Sequence, residues 1–234
     1  MLFCHSFLVQ GDLAIIAANP DTELARRFAA LYTGALTDTL DGLGYRHQTL
    51  PHGIVPLKEG MRTAGPAFVV EGRTEEMDPE AGIRRILGML GEIPEHHVAV
   101  YQPGDDTCAH FGELSAAALK TRGCAGIVID GGCRDIELVK ETGFPVFSRY
   151  STPQDAVGRW HVLEWGHTVE IGGVTVSTGD YVVADADGVA VVPAAVRDQV
   201  LDEAEALVQT ESEIRTAVER GLAPLEAYER FGKF

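Results

Sequence analysis

The feature that most constrains this chain is a strict alternation between residues 97 and 150. HVAVYQP (97–103) reads as a strand, GELSAAALKTRG (112–123) as a helix with Gly at its end, and AGIVIDGG (125–132) as a second strand. RDIELVKETG (134–143) is then a helix and FPVFSRY (144–150) a third strand. Strands separated by helices in this rhythm pair in parallel through right-handed crossovers, so the expected class is α/β.

The flanks are of a different texture. DTELARRFAALYT (21–33) predicts a helix capped by Asp21 or Thr22, and 33–44 a second short helix ended by Gly42 and Gly44. Residues 62–71 predict a strand, and 78–90 a helix with Pro in its first turn. The β-rich stretch 169–193, punctuated by Gly and Asp, predicts antiparallel strands or hairpins. Residues 194–220 predict one long helix decorated with acids. Leu201, Leu207, Ile214 and Val218 give it an apolar stripe that suits either its own sheet or a partner.

Several function classes are excluded. The net charge of −16 comes with scattered basic residues, which argues against direct binding to nucleic acid or to an anionic membrane. No apolar run approaches the roughly 20 residues of a membrane span. Gln10, Gly11 and Asp12 interrupt the mildly apolar start, so residues 1–20 are expected to form an arm rather than a signal peptide. Cys4, Cys108, Cys124 and Cys133 make no CxxC pair, as expected of reduced thiols in a cytoplasmic protein. Cys133 reads as a small packing residue, although Arg134 beside it would favour a thiolate. No Gly-rich loop follows a first strand in the manner a nucleotide-type cofactor requires, which argues against methyl transfer.

The chemistry concentrates at one end of the alternating core. A helix running back from one strand to the next places Glu113, at the helix start, beside Arg134 and Asp135 at the following strand's end. That is the carboxyl end of parallel strands, where α/β folds bind ligands. Glu113 and Asp135 are hard oxygen donors suited to Mg²⁺ or Mn²⁺. Arg134 presents a planar fork of donors to a carboxylate or enolate oxygen. The amides of Leu114 and Ser115 open a helix and are free to hold an anion, while Gly131 and Gly132 allow close backbone approach. Singly, Glu113 is only a favourable first-turn charge and Arg134–Asp135 an ordinary ion pair. Together they suit chelation of a 2-oxo acid and stabilisation of its enolate.

The run from Phe111 to Ala156 resembles the RraA-like family, which includes 4-hydroxy-4-methyl-2-oxoglutarate/4-carboxy-4-hydroxy-2-oxoadipate aldolases. Its members were often labelled early on as demethylmenaquinone methyltransferases. The resemblance rests on Glu113, the intervening residues 114–133 and Arg134-Asp135, with TDTLDGLG and GDYVVADADGVAVVP as further matches. It implies a single compact layered αββα domain over 21–234, with a long C-terminal helix, assembled as trimers or hexamers. It implies that Asp135 binds Mg²⁺ or Mn²⁺ directly and that Glu113 acts through a water on that metal. Arg134 would hold the keto or enolate oxygen, with Gly112 and the amides of Leu114 and Ser115 around the pyruvate carboxylate. Glu211 of a neighbouring subunit, or failing it Glu213, would complete the site through a second water.

The implied activity is a class II-type lyase. It cleaves a 4-hydroxy-2-oxo acid to pyruvate plus a second 2-oxo acid, with oxaloacetate decarboxylation alongside. The alternatives are a non-catalytic regulator that binds an RNase or helicase, and a dehydratase or lyase for another hydroxy or sugar acid. Glu113 stands where the aldolases usually carry Asp, which leaves the substrate open. Outside the motif, His110 reads as a packing or pocket residue, and Asp105 and Asp106 as supporting groups. Asp185 and Asp187 read as turn residues. Arg159 and Trp160 are placed where they would close over a substrate.

Overall fold

The computed structural model describes residues 23–234. The expected arm, the Asp21 or Thr22 cap and Cys4 lie outside the described residues. The chain opens with α1 (Glu23–Ala30) and α2 (Thr33–Gly42), followed by β1 (Val55–Pro56), β2 (Thr63–Thr74) and α3 (Pro79–Glu92). The alternating core is β3 (Val98–Gln102), β4 (Ala109–Phe111), α4 (Glu113–Thr121), β5 (Gly126–Cys133), α5 (Ile136–Thr142) and β6 (Val146–Ser151). Strands β7 (Trp160–Trp165), β8 (Thr168–Ile171), β9 (Val174–Ser177), β10 (Tyr181–Asp185) and β11 (Gly188–Val192) precede α6 (Arg197–Glu219) and α7 (Pro224–Phe231).

The expected parallel core is present: β3 pairs with β5 and β5 with β6, both in parallel. The sheet as a whole is mixed. Its order is β1-β6-β5-β3-β2-β10-β11, with β7 added along β2 and β4 along β5. The expected hairpins form as β8–β9 and β10–β11. Segment 48–56 nearly closes the sheet on itself. Thr49 bridges Ala190 on β11, and a few residues later Val55 and Pro56 pair with β6 at the opposite edge.

Three apolar clusters follow from this closure. Inside the near-barrel, Val69, Val100, Val128, Phe147 and Val182 meet Ile171 and Val176 from the β8–β9 hairpin, which fills one end. Helices α3 to α5 cover one outer face through Met89, Leu119 and Val139. Helices α1, α2 and α6 cover the other through Phe28, Leu36, Val200 and Leu201. The result is a helix, β, β, helix layering with α6 as the long C-terminal helix.

Two expected boundaries change. The helix over 21–33 ends at Ala30, and a new one begins at Thr33 after an extended Tyr32. The reason is distant in sequence: Asp185 of β10 accepts the Thr33 amide at 2.9 Å and its hydroxyl at 2.7 Å, capping α2 from the far side of the fold. Asp185 also accepts the Asp187 amide at 3.0 Å, so the turn reading of this pair stands with an added anchor. The helix expected from 194 begins instead with a short 3₁₀ turn, Ala194–Val196, before Arg197.

Candidate functional site

The carboxyl ends of β3, β5 and β6 converge on one loop cluster, and β4 decides its geometry. From the sequence, helix geometry alone brings Glu113 near Arg134. In the fold, β4 lies parallel to β5, with Phe111 opposite Cys133, and the Phe111 carbonyl accepts the Arg134 amide at 3.0 Å. The chain therefore passes from β4 through Gly112 into α4 directly alongside the Arg134–Asp135 turn. Three residues, AHF, are too short a run to announce themselves as a strand.

Gly112 caps α4 with an extended backbone and without a side-chain bond. The first amide of this helix to reach back is that of Ala116, to the Gly112 carbonyl at 3.0 Å. Those of Glu113, Leu114 and Ser115 precede it, which is the usual state of a helix start able to receive an anion. A Cβ on Gly112 would lie 2.8 Å from Asp135 Oδ2 and 3.2 Å from Arg134 Cγ, so glycine is what lets the two walls meet.

Asp135 stands at the start of α5 in the left-handed region, φ 57°, ψ 37°, and its carboxylate does not cap the helix. Only His96 shares a positive φ among the described non-glycine residues. Such a conformation costs of order 1 kcal/mol or more and aims the side chain away from its own helix. Arg134 pairs through Nε with Asp135 Oδ2 at 3.4 Å and through Nη1 with Asp155 Oδ1 at 3.1 Å. All three side chains are 36–45% exposed. Arg134, Asp135, Glu113, Leu114, Ser115 and Asp155 line one cleft of about 220 Å³. Asp155 is a site residue that sequence reasoning missed; its one signal is an acid in the loop after a strand adjacent to the motif.

A water-facing cleft lined by three carboxylates, those of Glu113, Asp135 and Asp155, is chemically fit for a hard divalent ion. Asp135 could hold such an ion, since its carboxylate does not cap its helix, and Glu113 lines the same space.

A second group of ligand-type residues adjoins the cleft, whose lining includes His110. Asp105, Cys108 and His110 bring one donor atom each within 4.8 Å of one another and form a candidate cluster for a divalent ion. The Asp105 and His110 side chains are 1% and 0% exposed. Asp105 Oδ1 accepts the hydroxyls of Thr74 and Thr107, each at 2.7 Å. Oδ2 accepts the amides of Thr107 and Cys108 and the Cys108 thiol, each at 3.1 Å, and His110 Nε2–H at 3.0 Å. Burial pushes the Asp105 carboxyl up, but the Thr107, Thr74 and Cys108 donors outweigh it and hold it well below the usual range. Burial, then the Asp105 hydrogen bond, pushes the Cys108 thiol up to about 12. Burial lowers His110 to about 4 against the opposing pull of Asp105.

Other expected residues fall elsewhere. Trp160 does not close over a substrate: it is fully buried, donates Nε1–H to the Pro103 carbonyl at 2.9 Å and sets its ring 5.0 Å from His110. Arg159 donates to the Asp155 carbonyl at 3.2 Å and stays exposed. Asp106 is exposed. Cys133 is buried, and burial raises its thiol to about 12, as a packing residue should be. Glu211, 3.5 Å from Lys233 Nζ, and the exposed Glu213 lie on α6, and neither lines the cleft within this one chain. A cavity of about 730 Å³ forms an open groove between α6 and α7; Glu213 lines it, but Glu113, Arg134 and Asp135 do not.

Fold and cleft together define an α/β protein with a cleft lined by Glu113, Arg134, Asp135 and Asp155 at the carboxyl ends of parallel strands. The chain belongs to the RraA-like (Aldolase/RraA) family, whose model matches residues 33–191. It is 29% identical over 212 residues to a protein of Halalkalibacterium halodurans named "Putative 4-hydroxy-4-methyl-2-oxoglutarate aldolase", spanning 89% of this chain and 94% of that one. An uncharacterized protein of Pseudomonas syringae pv. tomato superposes with a TM-score of 0.78 at 30% identity, over 87% of this chain and 96% of that one. Streptomyces coelicolor RraAS2, described as an unusual member of the RNase ES inhibitor RraA protein family, gives 0.75 at 29% identity, over 85% and 99%. No helix among the described residues is long and apolar enough to cross a membrane.

Proposed function

We propose that this chain is a divalent-metal-dependent carbon–carbon lyase that cleaves a 4-hydroxy-2-oxo acid to pyruvate and a second 2-oxo acid. The observation that carries the reading is the meeting of Glu113, Arg134, Asp135 and the α4 amides in one cleft. Asp135 would hold Mg²⁺ or Mn²⁺, with Glu113 in support. When bound, the ion supplies Lewis-acid polarisation of the 2-oxo group. The amides of Leu114 and Ser115, beside Gly112, take the substrate carboxylate. Glu113 draws the proton from the C4 hydroxyl through a water. The C3–C4 bond then breaks, C4 becomes the carbonyl of the departing oxo acid, and the bonding pair passes to C3 as the pyruvate enolate. Arg134 neutralises the enolate oxygen, aided by the α4 dipole. Oxaloacetate decarboxylation ends in the same enolate and is expected as a companion activity.

This reading takes residues 21–234 as one catalytic domain in a cytoplasmic trimer or hexamer. Leu114, 81% exposed beside the cleft, supports cover by a neighbouring subunit, which is also what Glu211 needs to reach the site. The buried free thiols Cys108, Cys124 and Cys133 suit a reducing compartment. The likeness to RraAS2 and the acidic net charge favour, as second reading, a regulator docking on an RNase or helicase.

The test is pyruvate release from oxaloacetate and from 4-hydroxy-4-methyl-2-oxoglutarate with Mn²⁺, with Mg²⁺ and with EDTA. Asp135→Asn serves as control, since Asn tolerates the left-handed backbone. Metal-dependent release that falls at least about 100-fold in the variant is expected. Metal binding without release moves the chemistry to another hydroxy or sugar acid. Neither binding nor release leaves the regulator.

A further inference from the structure

The strand that delivers Arg134 and Asp135 is irregular where it matters. Register slips between Ile129 and Gly132 against β6, and again across the β4 pairing. A bulge loosens the ladder and re-aims the residues beyond it, so the strand end needs another tie. That tie is a side chain: the Gly132 amide donates to His110 Nδ1 at 3.2 Å.

The two glycines exist for this approach. A Cβ on Gly131 would lie 2.6 Å from His110 Nδ1, and one on Gly132 would lie 2.4 Å from the Tyr150 ring and 2.6 Å from the Cys108 carbonyl. Tyr150 in turn donates its hydroxyl to that same carbonyl at 3.1 Å. The imidazole is thus pressed between the glycine backbone and the edge of Trp160.

The hydrogen bonds fix its tautomer. An amide can only donate, so Nδ1 must carry a lone pair, and Nε2 must then carry the proton that Asp105 Oδ2 accepts at 3.0 Å. A buried ionised carboxylate is expensive, and an apolar residue would fill the same space at lower cost. Keeping Asp105 ionised makes sense if the imidazole's orientation has a use. Both ring nitrogens are engaged within the protein, so that use is exerted through the Gly132 backbone.

We infer that His110, held by Asp105 as its Nε2–H tautomer, is a positioning residue: its Nδ1 anchors Gly132 and so fixes the turn that presents Arg134 and Asp135. The inference rests on the metal and enolate site proposed above. Supports behind metal-binding groups are commonly worth 10–100-fold in affinity or rate.

Two measurements test it. On wild-type protein, long-range ¹H–¹⁵N correlation of the histidine rings is expected to show His110 with Nε2 protonated and Nδ1 bare; a protonated Nδ1 overturns the inference without any variant. Separately, His110→Leu, which removes the acceptor, and His110→Asn, which keeps one near the Nδ1 position, are compared for Mn²⁺ affinity by calorimetry and for kcat and KM on oxaloacetate. Leu is expected to weaken Mn²⁺ binding and lower kcat by about tenfold each, with Asn recovering most of both. Wild-type values for Leu, or equal losses for folded Leu and Asn variants, overturn the positioning role. Should Leu fail to fold, the tautomer and the Asn variant decide. Asp135→Asn is run beside them. If it retains Mn²⁺ binding and turnover, the site assignment itself fails, and this inference with it.

Discussion

Two clusters of ligand-type residues lie back to back in this fold, and they differ in one physical respect. Around Asp105 each carboxylate oxygen already accepts more than one donor, in a space closed to solvent. Around Asp135 the carboxylate is left uncapped, half-exposed and aimed by a left-handed backbone into a cleft. Among the described residues only the inner set brings three ligand-type atoms within 4.8 Å of one another. Saturated acceptors and a thiol whose burial favours the protonated form suit a strut, while the uncapped Asp135 carboxylate suits the receptor proposed above. Proximity of donors is a weaker guide to function than the capacity they have left.

The strongest way to break this contrast is to remove the strut. Asp105→Ala leaves the buried His110 Nε2–H and Cys108 amide without their acceptor and frees the part-buried Thr74 and Thr107 donors, and is expected to cost about 3 kcal/mol in denaturant unfolding. A loss below about 1 kcal/mol would mean that the network is not structural. Acid probes the same network next. His110 titrates at about 4 in the fold against 6.5 for the free group. Between these values the unfolded chain binds the extra proton, so this contribution is complete above pH 6.5 and is lost as pH falls toward 4. The full swing is about 3 kcal/mol. Asp105, held below the usual carboxylate range, adds a further loss at lower pH. Melting curves of wild type and His110→Asn from about pH 7.5 to 4 should diverge in this direction; parallel curves would remove His110 as the acid-sensitive group.

How much of this was legible in the sequence depends on how local each cause is. The alternation of β3, α4, β5, α5 and β6 could be read because each element is written in its own residues. The Asp78 cap of α3, which accepts the Ala81 amide at 2.8 Å, is equally local. The break between α1 and α2 could not be read, because its cause is Asp185, more than 150 residues away. Near-closure of the sheet depends on single bridges such as Thr49 to Ala190, which leave no periodic trace. In the cleft, Glu113, Arg134 and Asp135 were legible as chemistry, while their route to one another through three residues of β4 was not. The inner network was legible only in part: the sequence offers Asp105 as a supporting group and His110 as a packing or pocket residue, but their bond to each other shows only once burial requires that each be matched by a partner.

The outer cleft can be sharpened from its rim. Leu114 is 81% exposed, so Leu114→Ser should change the stability of the isolated fold by less than about 0.5 kcal/mol. If a neighbouring subunit covers it, the same change weakens association by about 2 kcal/mol, the worth of one buried Leu. Sedimentation over a dilution series separates the two. Unchanged association would take Leu114 out of the interface and leave the exposed side chain to the substrate.

The smallest expected effect is the most discriminating between the clusters. A metal-ligating thiol must be a thiolate, yet Cys108 is held protonated, with burial and the Asp105 hydrogen bond pushing it up to about 12. Its S–H donates to a carboxylate that has other donors, and a hydroxyl of similar reach can take its place. Cys108→Ser is therefore expected to leave Mn²⁺ affinity within about twofold of wild type, because the ion site proposed above lies at Asp135 rather than at Cys108. Zn²⁺ uptake should be equally unmoved. A large loss of either would transfer the metal from Asp135 to the inner triad, and would turn the strut and the receptor around.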